Sequence, residues 1–381
     1  MIRADRARGR TTPGGPVTDH TTAPFHAEYD TIVVGAGPAG LMAALKAAER
    51  GPVLVLEASS MPRDKSCGGM LNEYAQEFLA DIAPVPPSMV RGPEHVNFRY
   101  VDWDRGIRKP TGLRFLNVDR REFDDWLVSL LPANVDVVGS SPVKGFTQGH
   151  EGVTVTVRVD GTEHTVRCDN LVGADGARSA VRRTLGEGSV STYVTLQDFC
   201  TLKGELEPYF DCIYMRDIGD SYAYSYVVPK GEWGLVGSVY YPKTKRPHEK
   251  QDQTMELLRA ALPQLGETVK REASVALHVR SAADIVPGRG RVLLAGEAGG
   301  FMSPTSGEGI SYAMNSGAAA GAAIAASAPD DALAAYSADV DRIAKNIRRK
   351  LRWLPFMESA WGKYLAGFVP TPIVSKVTEG L

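Results

Sequence analysis

Residues 31–40, TIVVGAGPAG, constrain the fold of this chain more than any other segment. Ile32, Val33 and Val34 form the short apolar run of a buried parallel strand. Gly35 permits a tight turn, Gly37 lets backbone approach a pyrophosphate, and Gly40 lets a helix pack closely on the strand. Pro38 and Ala39 lie within the same turn, and residues 41–50, rich in Ala, Leu and Lys, read as the helix that follows. Its N-terminus offers free N–H groups and the positive end of a dipole to phosphates. Gly51 and Pro52 stop it, and residues 53–56 read as a second buried strand. Glu57, followed by Ala58, ends that strand at the spacing where an acid accepts hydrogen bonds from a ribose hydroxyl. A doubly wound turn that binds nothing is the competing reading.

Two further stretches bear on which dinucleotide fits. Residues 173–183, GADGARSAVRR, resemble the Asp-Gly motif of the para-hydroxybenzoate hydroxylase superfamily, which puts Asp175 and Gly176 beside a cofactor. Residues 293–304, LLAGEAGGFMSP, resemble that superfamily's Gly-Asp motif, in which a carboxylate holds the ribitol of FAD. Glu297 stands where Asp is usual, so one extra methylene must be accommodated while a carboxylate acceptor remains. Gly296, Gly299 and Gly300 fit a backbone passing close to the cofactor, with Pro304 at the end of the motif. Gly307 and Gly309 then bracket Glu308 before a helix from Ile310 to about residue 326. That helix N-terminus would face the pyrimidine end of the flavin and stabilise negative charge on the reduced ring. Residues 117–124, NVDRREFD, resemble the family's Arg-x-x-Phe-Asp helix start, whose Arg lies near FAD. Arg120 either takes that place or is a solvated charge on a helix end. The resemblance implies one bound FAD.

Length and composition are compatible with such a chain. The 381 residues allow two large modules or one elaborated α/β domain, and 43% apolar content is ample for a core. A net charge of −2 gives no field favouring nucleic acid. Cys67, Cys168, Cys200 and Cys212 contain no C-x-x-C pair, which fits a reducing cytoplasm better than a disulfide framework or a zinc site. The seven histidines contain no H-E-x-x-H, so no metal site is expected. No run reaches transmembrane length; residues 317–328 are Ala and Gly save Ile324 and Ser327 and read as a tightly packed helix. Peripheral membrane contact stays open, as does oligomeric state. Residues 1–27 carry Arg3, Arg6, Arg8 and Arg10, then Thr, Pro and Gly, with no apolar h-region. They read as a disordered extension rather than a secretory signal.

Between the motifs the pattern alternates. Val153, Val155, Val157 and Val159 face one way, as in a half-buried strand, and Asp160-Gly161 is a hairpin turn returning through residues 162–168. Residues 96–100, 113–116, 222–228 and 233–240 also read as strands. They do not fit the nucleotide-binding sheet and are assigned to a second, antiparallel sheet over the flavin. The expected fold is α/β: a Rossmann-like, doubly wound FAD-binding domain (28–92, 117–188, 281–328) and an interleaved antiparallel-sheet substrate domain (93–116, 189–280). A helical region, 329–381, follows. In it Leu333, Tyr336, Val340, Ile343, Ile347, Leu351 and Leu354 recur at steps of three and four, and Pro355 is expected to break the pattern.

The substrate side is read from residues 61–71, MPRDKSCGGML, which resemble the Cys-Gly-Gly loop of the geranylgeranyl reductase family. Residues 224–231, YSYVVPKG, are similar to that family's Tyr-x-Trp-x-Phe-Pro-Lys-Gly segment, which lines the substrate cavity. The resemblance spans residues 30 to about 327. It departs at Tyr226 and Val228, which replace Trp and Phe, so the cavity is expected to be more polar than one built for a long isoprenoid. Gly68 and Gly69 permit close passage over the isoalloxazine or form an ordinary turn. Cys67 is a proton donor or ring contact, or else a small buried hydrophobe. Lys65 lies near the flavin or is a solvated loop lysine. Tyr224 and Tyr226 share one strand face, and line the cavity or pack as core aromatics. The resemblance favours a reductase that saturates a carbon–carbon double bond of a hydrophobic or aromatic small molecule, with NAD(P)H as electron donor. A flavin monooxygenase is the main alternative. A flavin halogenase needs a tunnel Lys and a Trp-x-Trp-x-Ile-Pro segment, which residues 224–229 do not match; a non-catalytic flavoprotein partner completes the set.

Overall fold

The computed structural model describes residues 25–215, 218, 222–359, 361, 362, 365 and 368. Of the expected N-terminal extension, residues 1–24 lie outside the described residues. Packing begins before residue 28: Phe25 leans on the first sheet with its ring 6.1 Å from His164, and the His26 amide donates to the Tyr29 hydroxyl.

Five parallel strands form the heart of the first sheet, in the order Val292–Leu294, Thr162–Gly173, Glu28–Val34, Val53–Leu56, Val135–Val138. Ile32, Val33, Leu54 and Val55 are fully buried, because a parallel strand covered on both faces has no wet side. The chain runs outward from Glu28–Val34 in one direction, then returns to its other side with Thr162–Gly173. The order therefore reverses at the carboxyl end of Glu28–Val34, the place where open α/β sheets bind ligands. The alternating valines form Gly152–Val159, which joins Thr162–Gly173 through a turn with positive φ at Asp160 and Gly161. All four valines point into the core.

Helix Pro38–Ala47 packs on helix Ile310–Ala326. A side chain at Gly317 would meet the Ala39 carbonyl, and one at Gly321 the Ala43 carbonyl. The Ala/Gly composition thus lets two backbones touch, as expected for a tightly packed helix.

The second sheet runs Leu265–Leu277, Thr192–Leu202, Trp233–Tyr240, Tyr222–Lys230, Tyr209–Tyr214, Val90–Asp102, Ile107–Val118, Met70–Leu71. It is antiparallel throughout save one pair: Tyr209–Tyr214 lies parallel to Val90–Asp102, where two chain segments distant in sequence meet. The C-terminal periodicity forms Ala332–Asp339, Asp341–Leu351 and Leu354–Glu358. As expected, the pattern breaks ahead of Pro355: helix Asp341–Leu351 ends four residues before that proline. It occupies the first turn of the last one, where its missing N–H costs nothing. Among the described residues no helix is long and apolar enough to cross a membrane.

Candidate functional site

Parallel strands that end at one edge bring their following residues together. Gly35 follows Glu28–Val34, Glu57 follows Val53–Leu56, Asp175 follows Thr162–Gly173, and Gly296 follows Val292–Leu294. All four line one cavity of about 850 Å³ that continues beneath the second sheet.

Gly35 has φ +103°, and a Cβ there would run into the Ala174 carbonyl. Gly37 caps helix Pro38–Ala47 with no side-chain acceptor, leaving the helix N-terminus, with Pro38 and Ala39, on the cavity wall. Gly40 is not on that wall; it packs helix against strand, and its Cβ would strike the Gly35 carbonyl. Glu57 is buried and accepts from the Ala36 and Ser59 amides, each at 2.9 Å, which fixes its carboxylate; Ala58 lines the cavity beside it.

At the opposite wall, Gly296 has φ +58° and donates to Ser316 Oγ at 2.9 Å. Glu297 follows on the cavity wall, one carboxylate oxygen accepting from the Leu277 amide at 3.1 Å. Gly299 and Gly300 correct the sequence reading. They lie off the wall, where Leu294 and Phe301 crowd Gly299 and the Asp284 carbonyl crowds Gly300. Their glycine requirement is a matter of chain packing. Asp175 lines the cavity with Gly176, but its carboxylate serves the next helix, accepting from Ser179 Oγ and from the Ala180 and Val181 amides. Burial nonetheless pushes the Asp175 pKa up. Pro304, Gly307, Gly309 and Ile310 complete this end, where the Glu308 carboxylate accepts from the Ser311 amide at 2.8 Å in the first turn of helix Ile310–Ala326. The uncapped N-terminus of helix Pro38–Ala47 and a cradle that side chains at Gly35 and Gly296 would obstruct fit a dinucleotide with an anionic middle.

The loop at residues 61–71 divides the cradle from the space under the second sheet. Gly69 has φ +64°, and a Cβ there would meet the Val118 carbonyl. Its amide donates to Cys67 Sγ at 3.4 Å. Lys65, Cys67 and Gly68 all line the cavity. The Lys65 amine reaches the Val275 carbonyl at 3.4 Å, so it is tied to the second sheet rather than solvated. Arg120 is no solvated charge either: its side chain is 10% exposed and bridged to Asp124, itself 1% exposed, at 2.9 Å. Burial works against the Arg120 charge, but Asp124 and the Cys67 sulfur outweigh it and raise its pKa. Arg63, which the sequence reading passed over, meets the same carboxylate at 2.7 Å. Lys230 is buried behind the loop, its amine 2.9 Å from the Val118 carbonyl and 3.3 Å from that of Gly69. Burial pulls its pKa from 10.5 to about 7, with Cys67 and Asp119 opposing.

The second sheet roofs the cavity. Tyr224 and Tyr226 both line it, and burial raises both phenol pKa values, so each stays protonated. Beside them on the same sheet, one strand removed, Tyr193, Thr195 and Gln197 present one face of strand Thr192–Leu202. Gln197 is hydrogen-bonded to the Tyr226 hydroxyl, and Thr195 to Ser274. Phe98, Phe115 and Phe210 form an apolar side of the same space. The sequence reading passed over Tyr193, Thr195 and Gln197; their alternation with Val194 and Leu196 is the signal that could have found the strand, whereas the alignment with Tyr226 is set by long-range pairing.

A family described as FAD binding domain matches residues 132–350, and one described as pyridine nucleotide-disulphide oxidoreductase matches residues 29–209. Protein CbrA of Escherichia coli (strain K12) is 32% identical over 294 residues, covering 76% of this chain and 82% of CbrA. Among solved structures, a geranylgeranyl bacteriochlorophyll reductase-like protein from Thermoplasma acidophilum superposes with a TM-score of 0.74 at 22% identity, covering 93% of this chain and 92% of that one. The flavin-dependent brominase Bmp2 superposes at 0.72 with 18% identity, covering 92% and 93%. At such identities the two structures speak for the fold. With the family match over more than half its length, the chain belongs to the FAD-binding-domain family.

Proposed function

We propose that this protein is an FAD-dependent reductase that saturates a carbon–carbon double bond of a hydrophobic or aromatic small molecule, with NAD(P)H as the electron donor. The observation that carries the reading is the position of the Cys67–Gly68–Gly69 loop. It bounds the cradle on one side and the roofed cavity on the other, with the Cβ direction of Gly68 opening 3.3 Å from the Phe210 ring and 4.0 Å from Tyr226. Bound FAD supplies the two-electron chemistry. Glu57 holds the ribose, the N-terminus of Pro38–Ala47 the pyrophosphate, and Glu297 the ribitol. Cys67, Tyr224 and Tyr226 are the groups at the cavity from which the substrate carbon takes its proton.

Monooxygenase activity is the second reading, and the polar row Tyr193, Thr195, Gln197 favours it over a cavity shaped for a purely apolar chain. Anaerobic turnover separates the two. A reductase converts its substrate without dioxygen once NADPH or NADH is supplied. Conversion only in air, with oxygen incorporated into product, overturns the reductase reading.

A further inference from the structure

Five of the seven large apolar side chains that stand exposed among the described residues fall within residues 353–368: Trp353, Phe356, Trp361, Leu365 and Phe368. Trp353 is 55% exposed and Trp361 72%. Single apolar residues on a surface are ordinary, but a cluster of large ones marks a contact surface. The segment before them is basic. Helix Asp341–Leu351 buries Ile343, Ala344, Ile347 and Lys350 and turns Arg342, Lys345, Arg348 and Arg349 outward. Lys350, on the inner side, reaches Ser303 Oγ at 3.3 Å and the Tyr312 hydroxyl at 3.1 Å, which pins the helix to the body of the protein.

The basic and aromatic residues share one face. Past Leu351, Arg352 and Trp353 keep right-handed helical dihedrals and lead into Leu354–Glu358. Ile343, Ile347, Lys350 and Leu354 are buried at steps of four, three and four, and Lys345, Arg349, Arg352 and Phe356 stand exposed at the same steps. The outward face is thus cationic as far as Arg352 and aromatic after it. Little acid opposes it. Asp341 pairs with Lys345 at 2.5 Å, while Arg342, Arg349 and Arg352 have no ion-pair partner among the described residues. Glu358 is taken up by His278 and Arg280, at 3.0 and 3.3 Å. The whole chain carries a net charge of −2, so the positive field belongs to this strip and not to the protein at large.

We propose that this face docks on an anionic phospholipid surface, its guanidinium groups on lipid phosphates and Trp353, Phe356 and Trp361 in the headgroup layer. Aromatic side chains beside Lys and Arg are the composition that lies in a membrane interface: the rings take the apolar boundary and the cations the negative surface potential. A second copy fits the face poorly, because a twofold contact through it would set its arginines against their own copies. The docking goes beyond the reductase reading and stands without it.

The test mixes the full chain with vesicles of phosphatidylcholine alone, or of phosphatidylcholine with about a third phosphatidylglycerol, and reads the bound fraction by flotation. Binding to the anionic vesicles should be tighter by about tenfold or more and should be lost at about 0.5 M salt. Arg349→Gln together with Arg352→Gln should weaken it about 25-fold, at about fivefold per arginine near the surface. Trp353→Ser together with Phe356→Ser should also release the protein, whereas Val269→Ser, at an exposed apolar site on the second sheet, should not. Circular dichroism checks that each variant is folded. Equal binding to the two vesicle types, binding that survives both double variants, or no binding overturns the proposal. A dimer in sedimentation velocity that Trp353→Ser with Phe356→Ser dissociates, while vesicles leave the wild type unbound, gives the face to a second copy and overturns it too. Retention on polyglutamate without vesicle binding gives the face to an acidic protein and likewise overturns lipid docking.

Discussion

Replacing Lys230 by Met should change how stability depends on pH. The amine is buried behind the Cys67–Gly69 loop, and burial lowers its pKa from 10.5 to about 7. In the unfolded chain it is protonated up to about pH 10.4. Between about pH 7 and that value the unfolded state holds one proton more than the folded state, so stability rises with pH through this window. Each pH unit is worth about 1.4 kcal/mol for one proton. Below pH 7 the charged amine costs the fold about 5 kcal/mol relative to an unburied lysine, an upper figure because its two carbonyl contacts are formed in either protonation state. Met removes the titration and leaves the Val118 carbonyl without the amine at 2.9 Å, a loss of about 1–3 kcal/mol that does not vary with pH. Urea unfolding of both proteins at about pH 7.5 and pH 9 isolates the effect. The wild type should gain about 2 kcal/mol over Lys230→Met across that interval. Parallel pH profiles would refute the argument, since they would mean that Lys230 keeps its charge when folded.

Glu57→Ala should weaken FAD binding and leave the visible flavin spectrum unchanged, because the residue ends a strand at the adenosine side of the cradle; titration with FAD followed by absorbance checks both halves, and a shifted maximum with unaltered affinity would contradict the placement. Glu297→Ala should cost about 1.5–3 kcal/mol of FAD binding, the range for a hydrogen bond to a charged group. An unchanged dissociation constant would mean its carboxylate serves only the Leu277 amide. Cys67→Ser and Tyr226→Phe should each slow product formation while reduction of the flavin by its donor stays normal; wild-type product yield in both would remove these residues from proton delivery.

The first sheet was legible in the sequence because its determinants are local. An apolar run, three glycines, a helix and an acid within residues 31–57 fix a strand–turn–helix–strand unit through backbone geometry alone, and Gly35 at φ +103° and the buried Glu57 follow from it. Local resemblance also placed Cys67, Tyr224 and Tyr226 on one cavity. It misread residues whose surroundings arrive from afar. Gly299 and Gly300 look like cofactor glycines, yet Leu294, Phe301 and Asp284 supply the crowding that requires them. Arg120 reads equally well, and Lys65 more readily, as a solvated charge until Asp124 and Val275 are seen beside them. The aromatic wall and the Gln197–Tyr226 contact exist only through strand pairings, among them the parallel match of Tyr209–Tyr214 with Val90–Asp102 across more than a hundred residues. Short-range dihedral and periodicity rules therefore determined the cradle, whereas the chemistry of the substrate wall depended on long-range register, which no local pattern encodes.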